Sequence, residues 1–183
     1  MTRVSEPTST QRPGTEPAGA QPARIVVMGV SGSGKTTVGK QLARALQAEF
    51  VEGDDLHPAA NKAKMSAGHA LTDEDRWPWL DLVAQAMRDA PGPVVASCSA
   101  LKRAYRDRIR RTADTAFFVH LDGDPDLLRA RQAGRQRHFM PTSLMDSQLA
   151  TLEPLQADEA GVRLDVADGP EALVAQAVAA LTR

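Results

Sequence analysis

The feature that most constrains this chain is the run G-V-S-G-S-G-K-T at residues 29–36, a full match to the pattern G-x-x-x-x-G-K-[ST]. An apolar run at 25–28 precedes it, and Val38, Leu42 and Leu46, spaced four residues apart, follow it as one face of a helix. A glycine-rich turn between a buried strand and a helix can direct its backbone N–H groups at phosphate oxygens. The sequence therefore predicts a phosphate-binding loop in an α/β domain.

Each part of this loop has an expected role in binding ATP. The three glycines are expected to adopt positive φ, which turns backbone N–H groups inward. Lys35 is expected to reach the β- and γ-phosphates, and the Thr36 hydroxyl is suited to coordinate Mg²⁺. The alternative interpretation is an ordinary glycine-rich turn that carries a lysine by chance. It is disfavoured because the preceding strand, the glycine spacing, the lysine and the threonine all match the motif. The predicted ATP-binding residues are Gly29, Val30, Ser31, Gly32, Ser33, Gly34, Lys35, Thr36 and Thr37.

The rest of the chain alternates apolar runs with amphipathic stretches, which is typical of a largely parallel sheet covered by helices. Strands are expected at 25–28, 49–52, 94–98, 115–121 and 162–166, with helices after most of them. The expected architecture is a three-layer α/β P-loop kinase fold, with a five-stranded parallel sheet, helices on both faces and a small lid over 131–139. Asp124 and Pro125 predict the cap and first residue of one helix.

Two regions fall outside this pattern. Residues 1–22 are rich in Thr, Ser, Pro, Gln and Gly and are predicted to be a disordered tail, which leaves one domain over 23–183. Residues 54–79 fit no strand, and the start of the helix there is ambiguous because Pro78 lies within a polar run. We expect this second region to face the substrate.

Composition excludes several classes of function. A net charge of −1 and a pI near 6.4 argue against a nucleic-acid partner, which requires excess Lys and Arg. No apolar stretch approaches the ~18 residues of a membrane span. The single cysteine, Cys98, is expected to be a small buried strand residue; it excludes an internal disulfide and fits a reducing compartment. The sequence predicts a cytoplasmic protein that binds neither nucleic acid nor membrane.

Within the P-loop proteins, two classes are disfavoured. A GTPase needs N-K-x-D to read guanine, but the nearest string, at 61–64, ends in lysine, and the D-x-x-G at 158–161 precedes the last strand. An ATPase that drives mechanical work needs an acidic pair at the end of a second apolar strand, whereas 94–96 run into Ser-Cys-Ser. A kinase remains the preferred interpretation, with a nucleotide-gated binding protein as the alternative outside enzymes.

Transfer of phosphate to a bound hydroxyl requires a carboxylate near the acceptor and cations near the phosphates. Asp54, just past the second strand, is the predicted catalytic carboxylate, and Glu52 either contacts Mg²⁺ through water or is a surface acid. The basic lid segment contains Arg129, Arg131, Arg135, Arg137 and His138. Arg131 and Arg135 are four residues apart, so they share one helix face and are the predicted catalytic arginines.

Several blocks outside the loop resemble the gluconokinases of bacteria and eukaryotes. They are G-D-D-L-H-P at 53–58, N-K-A-K-M at 61–65, L-T-D-E-D-R-W-P-W-L at 71–80, C-S-A-L-K-R-A-Y-R-D at 98–107, R-H-F-M-P at 137–141 and S-Q-L-A-T-L-E-P at 147–154. The resemblance implies a nucleoside-monophosphate-kinase-like fold, Mg·ATP as donor, D-gluconate as acceptor, 6-phosphogluconate as product and a homodimer. A kinase for another sugar acid or a polyol is the alternative.

A more distant likeness to shikimate kinase implies roles for individual residues. Asp54 and Arg76 would face the acceptor, with Arg76 binding its carboxylate, a pairing that suits the guanidinium fork. Arg131 would stack on adenine, and Arg135 would close over the phosphates. Further substrate-binding candidates are His57, for which the alternative is a helix cap, Lys102 and His138.

The remaining residues of these blocks are expected to be structural. Lys102, Arg103, Arg106 and Arg110 surround the apolar stripe of one helix, so most of them are expected to be solvated charges, with Lys102 as the exception. Trp77 and Trp79 are expected to pack rather than to stack on a ligand. Three departures leave acceptor selectivity open: Glu52 replaces an Asp, Lys62 replaces an apolar residue, and Leu149 replaces an aromatic residue.

Overall fold

The computed structural model describes residues 23–134 and 142–182. The strands are β1 (Arg24–Met28), β2 (Glu49–Glu52), β3 (Val94–Ser97), β4 (Ala116–Asp122) and β5 (Gly161–Asp165). The helices are α1 (Lys35–Ala45), α2 (Ala59–Ser66), α3 (Asp73–Asp89), α4 (Arg103–Arg110), α5 (Pro125–Ala133), α6 (Thr142–Thr151) and α7 (Pro170–Leu181), and Gly53–Leu56 form a 3₁₀ turn. The predicted tail and the lid residues Arg135, Arg137 and His138 lie outside the described residues.

The five strands form one sheet in the order β2-β3-β1-β4-β5, and every neighbouring pair is parallel. The apolar side chains of β1 and the Val-Val-Ala run of β3 are completely buried, as expected for parallel strands covered on both faces. Because crossovers are right-handed, the reversal of direction after β2 places α1 and α3 on opposite faces. Helix α7 packs beside α1, and α4 packs beside α3. The predicted three-layer fold is confirmed.

The position of β1 determines where ligands can bind. This strand lies between β3 and β4, so the chain leaves it toward β2 on one side and later builds β4 and β5 on the other. In open α/β sheets this switch point opens a crevice at the carboxyl ends of the strands. The loop at 29–36 follows β1 directly and therefore occupies that crevice.

Side-chain caps explain the starts of α5 and α3. Asp124 accepts hydrogen bonds from the backbone N–H groups of Asp126 (2.8 Å) and Leu127 (3.2 Å), which confirms the predicted cap of α5. Helix α3 begins at Asp73 because Thr72 and Asp75 form a capping box, with Thr72 N–H donating to the Asp75 carboxylate at 2.7 Å. Pro78 therefore lies inside α3, and the start that the polar run left ambiguous falls five residues before it.

The described helices do not include one that combines the length and the apolar character needed to cross a membrane.

Candidate active site

The phosphate loop has the backbone conformation that its glycines predicted. Gly29, Gly32 and Gly34 have φ of 143°, 80° and 96°. At Gly29 a Cβ atom would lie 2.5 Å from the Leu121 carbonyl oxygen, so a side chain is excluded there by contact as well as by φ. Helix α1 begins at Lys35, directly after Gly34, and its N-terminus points into the crevice that the loop surrounds.

Two residues of the loop make side-chain hydrogen bonds, one within the loop and one to other helices. Lys35 Nζ donates to the Val30 carbonyl oxygen at 3.0 Å, across the loop. The Ser31 N–H donates to Gln148 Oε1 at 2.6 Å, and Ser31 Oγ lies 3.0 Å from Gln132 Oε1. Ser31 therefore joins the loop to α5 and α6.

The backbone of Gly53 fixes the position of Asp54 beside the loop. The Gly53 N–H donates to Ser97 Oγ at 3.2 Å, and its carbonyl accepts from Trp79 Nε1 at 2.7 Å. A Cβ at Gly53 would lie 2.1 Å from the Ser97 carbonyl oxygen, so only glycine fits. The Ser97 hydroxyl also donates to Glu52, which gives that carboxylate a protein partner at the strand end.

A cavity of about 410 Å³ opens between the loop and α2, α3 and α6. Lys35, Asp54, His57 and Arg76, four of the predicted site residues, all line it. They come from three places in the chain, namely α1, the 3₁₀ turn with the residue that follows it, and α3, and the parallel strand order brings these segments to one edge of the sheet. The cavity thus combines one carboxylate with three cations, Lys35, Lys62 and Arg76, beside a phosphate loop.

His57 is buried in the wall of this cavity. Its ring stacks on Trp79 with centroids 4.0 Å apart and an interplanar angle of 15°. Burial lowers the pKa of His57 to about 4, so the imidazole is neutral at pH 7. Asn61 Nδ2 lies 3.3 Å from His57 Nδ1; since an amide NH₂ can only donate, Nδ1 is the acceptor and Nε2 carries the proton. The cap of α2 is Pro58, so the alternative role of His57 as a cap is excluded.

Arg76 lies in the first turns of α3. One nitrogen, Nη1, donates to the Leu71 carbonyl oxygen and lies 3.4 Å from the Tyr105 hydroxyl. The guanidinium carbon is 5.5 Å from the centre of the Tyr105 ring, which restrains the group further. Within the described residues, Nε and Nη2 make no hydrogen bond to protein, so they are left for a ligand.

Lys102 differs from the expectation. It does not line the cavity, and its Nζ donates to both carboxylate oxygens of Asp73, at 2.9 and 3.0 Å. The Tyr105 hydroxyl donates to the same carboxylate at 2.5 Å. These hydrogen bonds, first from Tyr105 and then from Lys102, lower the pKa of Asp73. Lys102 therefore forms a salt bridge that joins the start of α4 to the start of α3.

A second hollow of about 320 Å³ lies on the other side of the loop. Its walls include Gly34 from the loop, Thr37 from α1, Arg131 from α5, and Pro170 from the start of α7. Arg131 is therefore separated from the cavity that holds Asp54. The preceding Arg129 pairs with Asp126 and Asp146 at 2.9 and 3.1 Å and links α5 to α6.

The expectation that Arg106 is a solvated charge is wrong. Arg106 is fully buried, and Nε and Nη2 each donate to Glu159 at 2.7 Å. Its Nη1 also donates to the carbonyl oxygens of Ala100, Leu101 and Glu153 at 3.0–3.2 Å. A buried guanidinium requires such partners, and here they join the segment after β3 to the segment after α6. Leu101 lines the cavity, so Arg106 supports its wall.

Two predictions about buried residues are confirmed, and two residues that line the cavity were not predicted from the sequence. Trp79 is buried as predicted, and Cys98 is buried with its thiol pKa raised by that burial to about 12, so it is not a nucleophile. The cavity residues Ser147 and Gln148 were not recognised from the sequence. The signal that could have identified them is the S-Q-L-A-T-L-E-P block, whose polar residues begin a helical turn facing the loop.

A switch-point phosphate loop, a carboxylate beside it and two adjoining hollows define a P-loop kinase that acts on a small molecule. Comparison with known proteins agrees: a family model described as an AAA domain matches residues 25–155. The gluconokinase of Gluconobacter oxydans is 46% identical over 163 residues, covering 87% of this chain and 92% of that protein. The chain belongs to this AAA-domain family and, more narrowly, to the gluconokinase family.

Solved structures give the same result. A gluconokinase from Sinorhizobium meliloti superposes with a TM-score of 0.82 at 48% identity, over 88% of this chain and 93% of that one. A shikimate kinase from Bacteroides thetaiotaomicron has a TM-score of 0.63 at 22% identity, covering 88% of this chain and 99% of the other. The second likeness concerns the fold alone.

Proposed function

We propose that this protein transfers the γ-phosphate of ATP to D-gluconate and forms 6-phospho-D-gluconate and ADP. The observation that carries the proposal is that Lys35 of the phosphate loop, Asp54 and Arg76 line one cavity. Its volume of about 410 Å³ lies within the usual range for small-molecule sites. Gluconate is proposed as the acceptor because the relatives are gluconokinases. The carboxylate and the cations that line the cavity suit a sugar acid.

The donor is proposed to lie across the loop. Backbone N–H groups and the N-terminus of α1 would hold the phosphates, and the base would occupy the second hollow against Arg131. No cluster of three or more His, Cys, Asp or Glu in the described part of the chain could hold a metal. Mg²⁺ does not require one, because it commonly binds substrate phosphates with one or two protein oxygens. The Thr36 hydroxyl, at the helix start, would supply such an oxygen.

The acceptor is proposed to bind with its carboxylate on Arg76, whose Nε and Nη2 can donate two parallel hydrogen bonds. His57, neutral and protonated on Nε2, would donate to a hydroxyl. Asp54 would orient the attacking hydroxyl and accept its proton as the new O–P bond forms and the bond to the ADP oxygen breaks. Lys35 would neutralise charge on the phosphates during the same step.

Three other predicted site residues, Arg135, His138 and Lys102, stand differently with respect to this proposal. Arg135 and His138 stay predictions, since they lie outside the described residues. Lys102, held by Asp73, has less geometric support as a substrate ligand than His57 or Arg76. The homodimer and the cytoplasmic location also stay predictions.

Replacement of Asp54 tests the mechanism. Asp54→Asn keeps the size of the side chain but removes its charge and its capacity to accept a proton, so turnover of gluconate should fall roughly 10²- to 10⁴-fold. Asp55→Asn is the matched control, because Asp55 is the adjacent exposed carboxylate and does not line the cavity. The measurement is ADP release with gluconate and with a panel of other sugar acids and polyols. Equal turnover in the two variants, or preference for another acceptor, would overturn the assignment.

A further inference from the structure

Ser31 is the only residue of the described phosphate loop whose backbone N–H and hydroxyl are both held by side chains from other helices. Gln148, from α6, accepts the N–H at 2.6 Å, and Gln132, from α5, lies 3.0 Å from the hydroxyl. The two glutamines differ in their surroundings. Gln132 is buried and does not line the acceptor cavity, whereas Gln148 is half-buried and does.

The contact with Ser31 determines the orientation of the Gln148 carboxamide. A backbone N–H can only donate, so the Gln148 atom that faces it must be the oxygen. The nitrogen, Nε2, is then directed away from Ser31, and it has no hydrogen-bond partner within residues 23–134 and 142–182. A carboxamide held by its oxygen at the loop thus has two N–H donors left for a molecule in the cavity.

The chemistry of the cavity favours a hydroxyl as the group that these donors meet. Arg76 and Lys35 already supply positive charge for a carboxylate and for phosphates. Gln148 is neutral and directional, which suits an alcohol oxygen better than an anion. Because its other end is held by the phosphate loop, a hydroxyl bound to Nε2 would be placed relative to the transferring phosphate.

We propose that Gln148 is a substrate-binding and specificity-determining residue, whose Nε2 donates a hydrogen bond to one hydroxyl of the sugar acid while its Oε1 is held by Ser31. This inference rests on the proposed phosphorylation of gluconate. A site that hydrogen-bonds a substrate hydroxyl discriminates against analogues lacking it, since the donor, shielded from water by the bound analogue, is then left unpaired. Gln148 would therefore distinguish sugar acids that differ at that hydroxyl.

The test compares three variants by steady-state kinetics. Gln148→Met removes both amide functions at nearly constant length, and we expect the KM for gluconate to rise roughly 5- to 10-fold while the KM for ATP changes less than about 2-fold. Gln132→Met is the matched control, since it removes the other contact to Ser31 and should leave the KM for gluconate within about 2-fold. Gln148→Glu retains the oxygen for Ser31 N–H but not the donors, so it should also raise the KM for gluconate, and it carries the test if Gln148→Met does not fold.

A second arm uses single-deoxy analogues of gluconate. If Nε2 binds one hydroxyl, the penalty of Gln148→Met should vanish for the analogue that lacks it and persist for the others, because the two changes remove the same interaction. An equal penalty on every analogue, an unchanged KM for gluconate, or an effect on the KM for ATP alone would overturn the inference. Wild-type protein that does not phosphorylate gluconate would instead refute the proposed function.

Discussion

His120 should make the stability of the fold depend strongly on pH. It lies in β4, opposite Met28 of β1 and Arg163 of β5, and is fully buried. Neither ring nitrogen has a hydrogen-bond partner in the described part of the chain. Burial lowers the pKa of His120 from 6.5 to about 4, because the charged imidazolium would lose more hydration than the nearby Asp122 carboxylate compensates. The native state therefore resists protonation in a range where the unfolded chain accepts it.

The sign and size of the effect follow from these pKa values. Between about pH 4 and pH 6.5 the unfolded state binds more protons, so the free energy of unfolding falls as the pH falls. With a pKa of about 4 in the native state, His120 should lower the free energy of unfolding by about 2 kcal/mol when the pH falls from 8 to 5. His57, with a similar pKa, adds a loss of the same sign and of about the same size.

Urea unfolding at pH 8 and pH 5 measures this dependence. His120→Leu has a similar volume and removes no hydrogen bond, so at pH 8 it should be as stable as the wild type or more stable. Its loss of stability on going to pH 5 should be smaller by about 2 kcal/mol, and the contribution of His57 cancels in the comparison. The same pH dependence in both proteins would refute the reasoning, as would destabilisation of the variant by more than about 2 kcal/mol at pH 8.

Three further substitutions test other parts of the structure. Glu159→Gln leaves the buried Arg106 guanidinium without its counter-charge, so urea unfolding should show a loss of about 3 kcal/mol or more. Trp79→Phe removes the donor to the Gly53 carbonyl and should lower both stability, by about 1 kcal/mol, and the turnover of gluconate, as measured by unfolding and by ADP release. Lys35→Ala should reduce turnover by roughly 10²-fold or more with little change in melting temperature, because the side chain faces the ligand and not the core.

Neighbouring residues of the same type serve as controls for these substitutions. Asp158→Asn changes the exposed carboxylate beside Glu159 and should leave the free energy of unfolding nearly unchanged. Trp77→Phe makes the same change of an indole to a phenyl ring but leaves the hydrogen bond to the Gly53 carbonyl in place. Lys40→Ala removes an exposed lysine from the same helix as Lys35. If a control variant lost as much stability or turnover as the variant that it is paired with, the loss could not be attributed to the contact assigned to that variant.

Much of the fold could be predicted because its determinants are local. The phosphate loop requires positive φ at three glycines, and those glycines are adjacent in sequence. The cap at Asp124 satisfies N–H groups two and three residues away. Apolar runs between helical patterns predicted a parallel sheet, since period and burial are also properties of short segments. The sequence by itself therefore determined the strands, the loop and the kinase class.

The candidate site was predictable only in part. Asp54 was recognised from its place after a strand, but the groups that position it, Ser97 and Trp79, are 44 and 26 residues from the Gly53 backbone that they hold. Gln148 contacts Ser31 across 117 residues, and Arg106 meets Glu159 across 53. Helical periodicity places Arg106 on a helix face but does not say what packs against that face. Only the tertiary structure decided these contacts, because the strand order β2-β3-β1-β4-β5 brings distant segments to one edge of the sheet. Burial there makes a polar group costly unless it is hydrogen-bonded, as Arg106 is to Glu159.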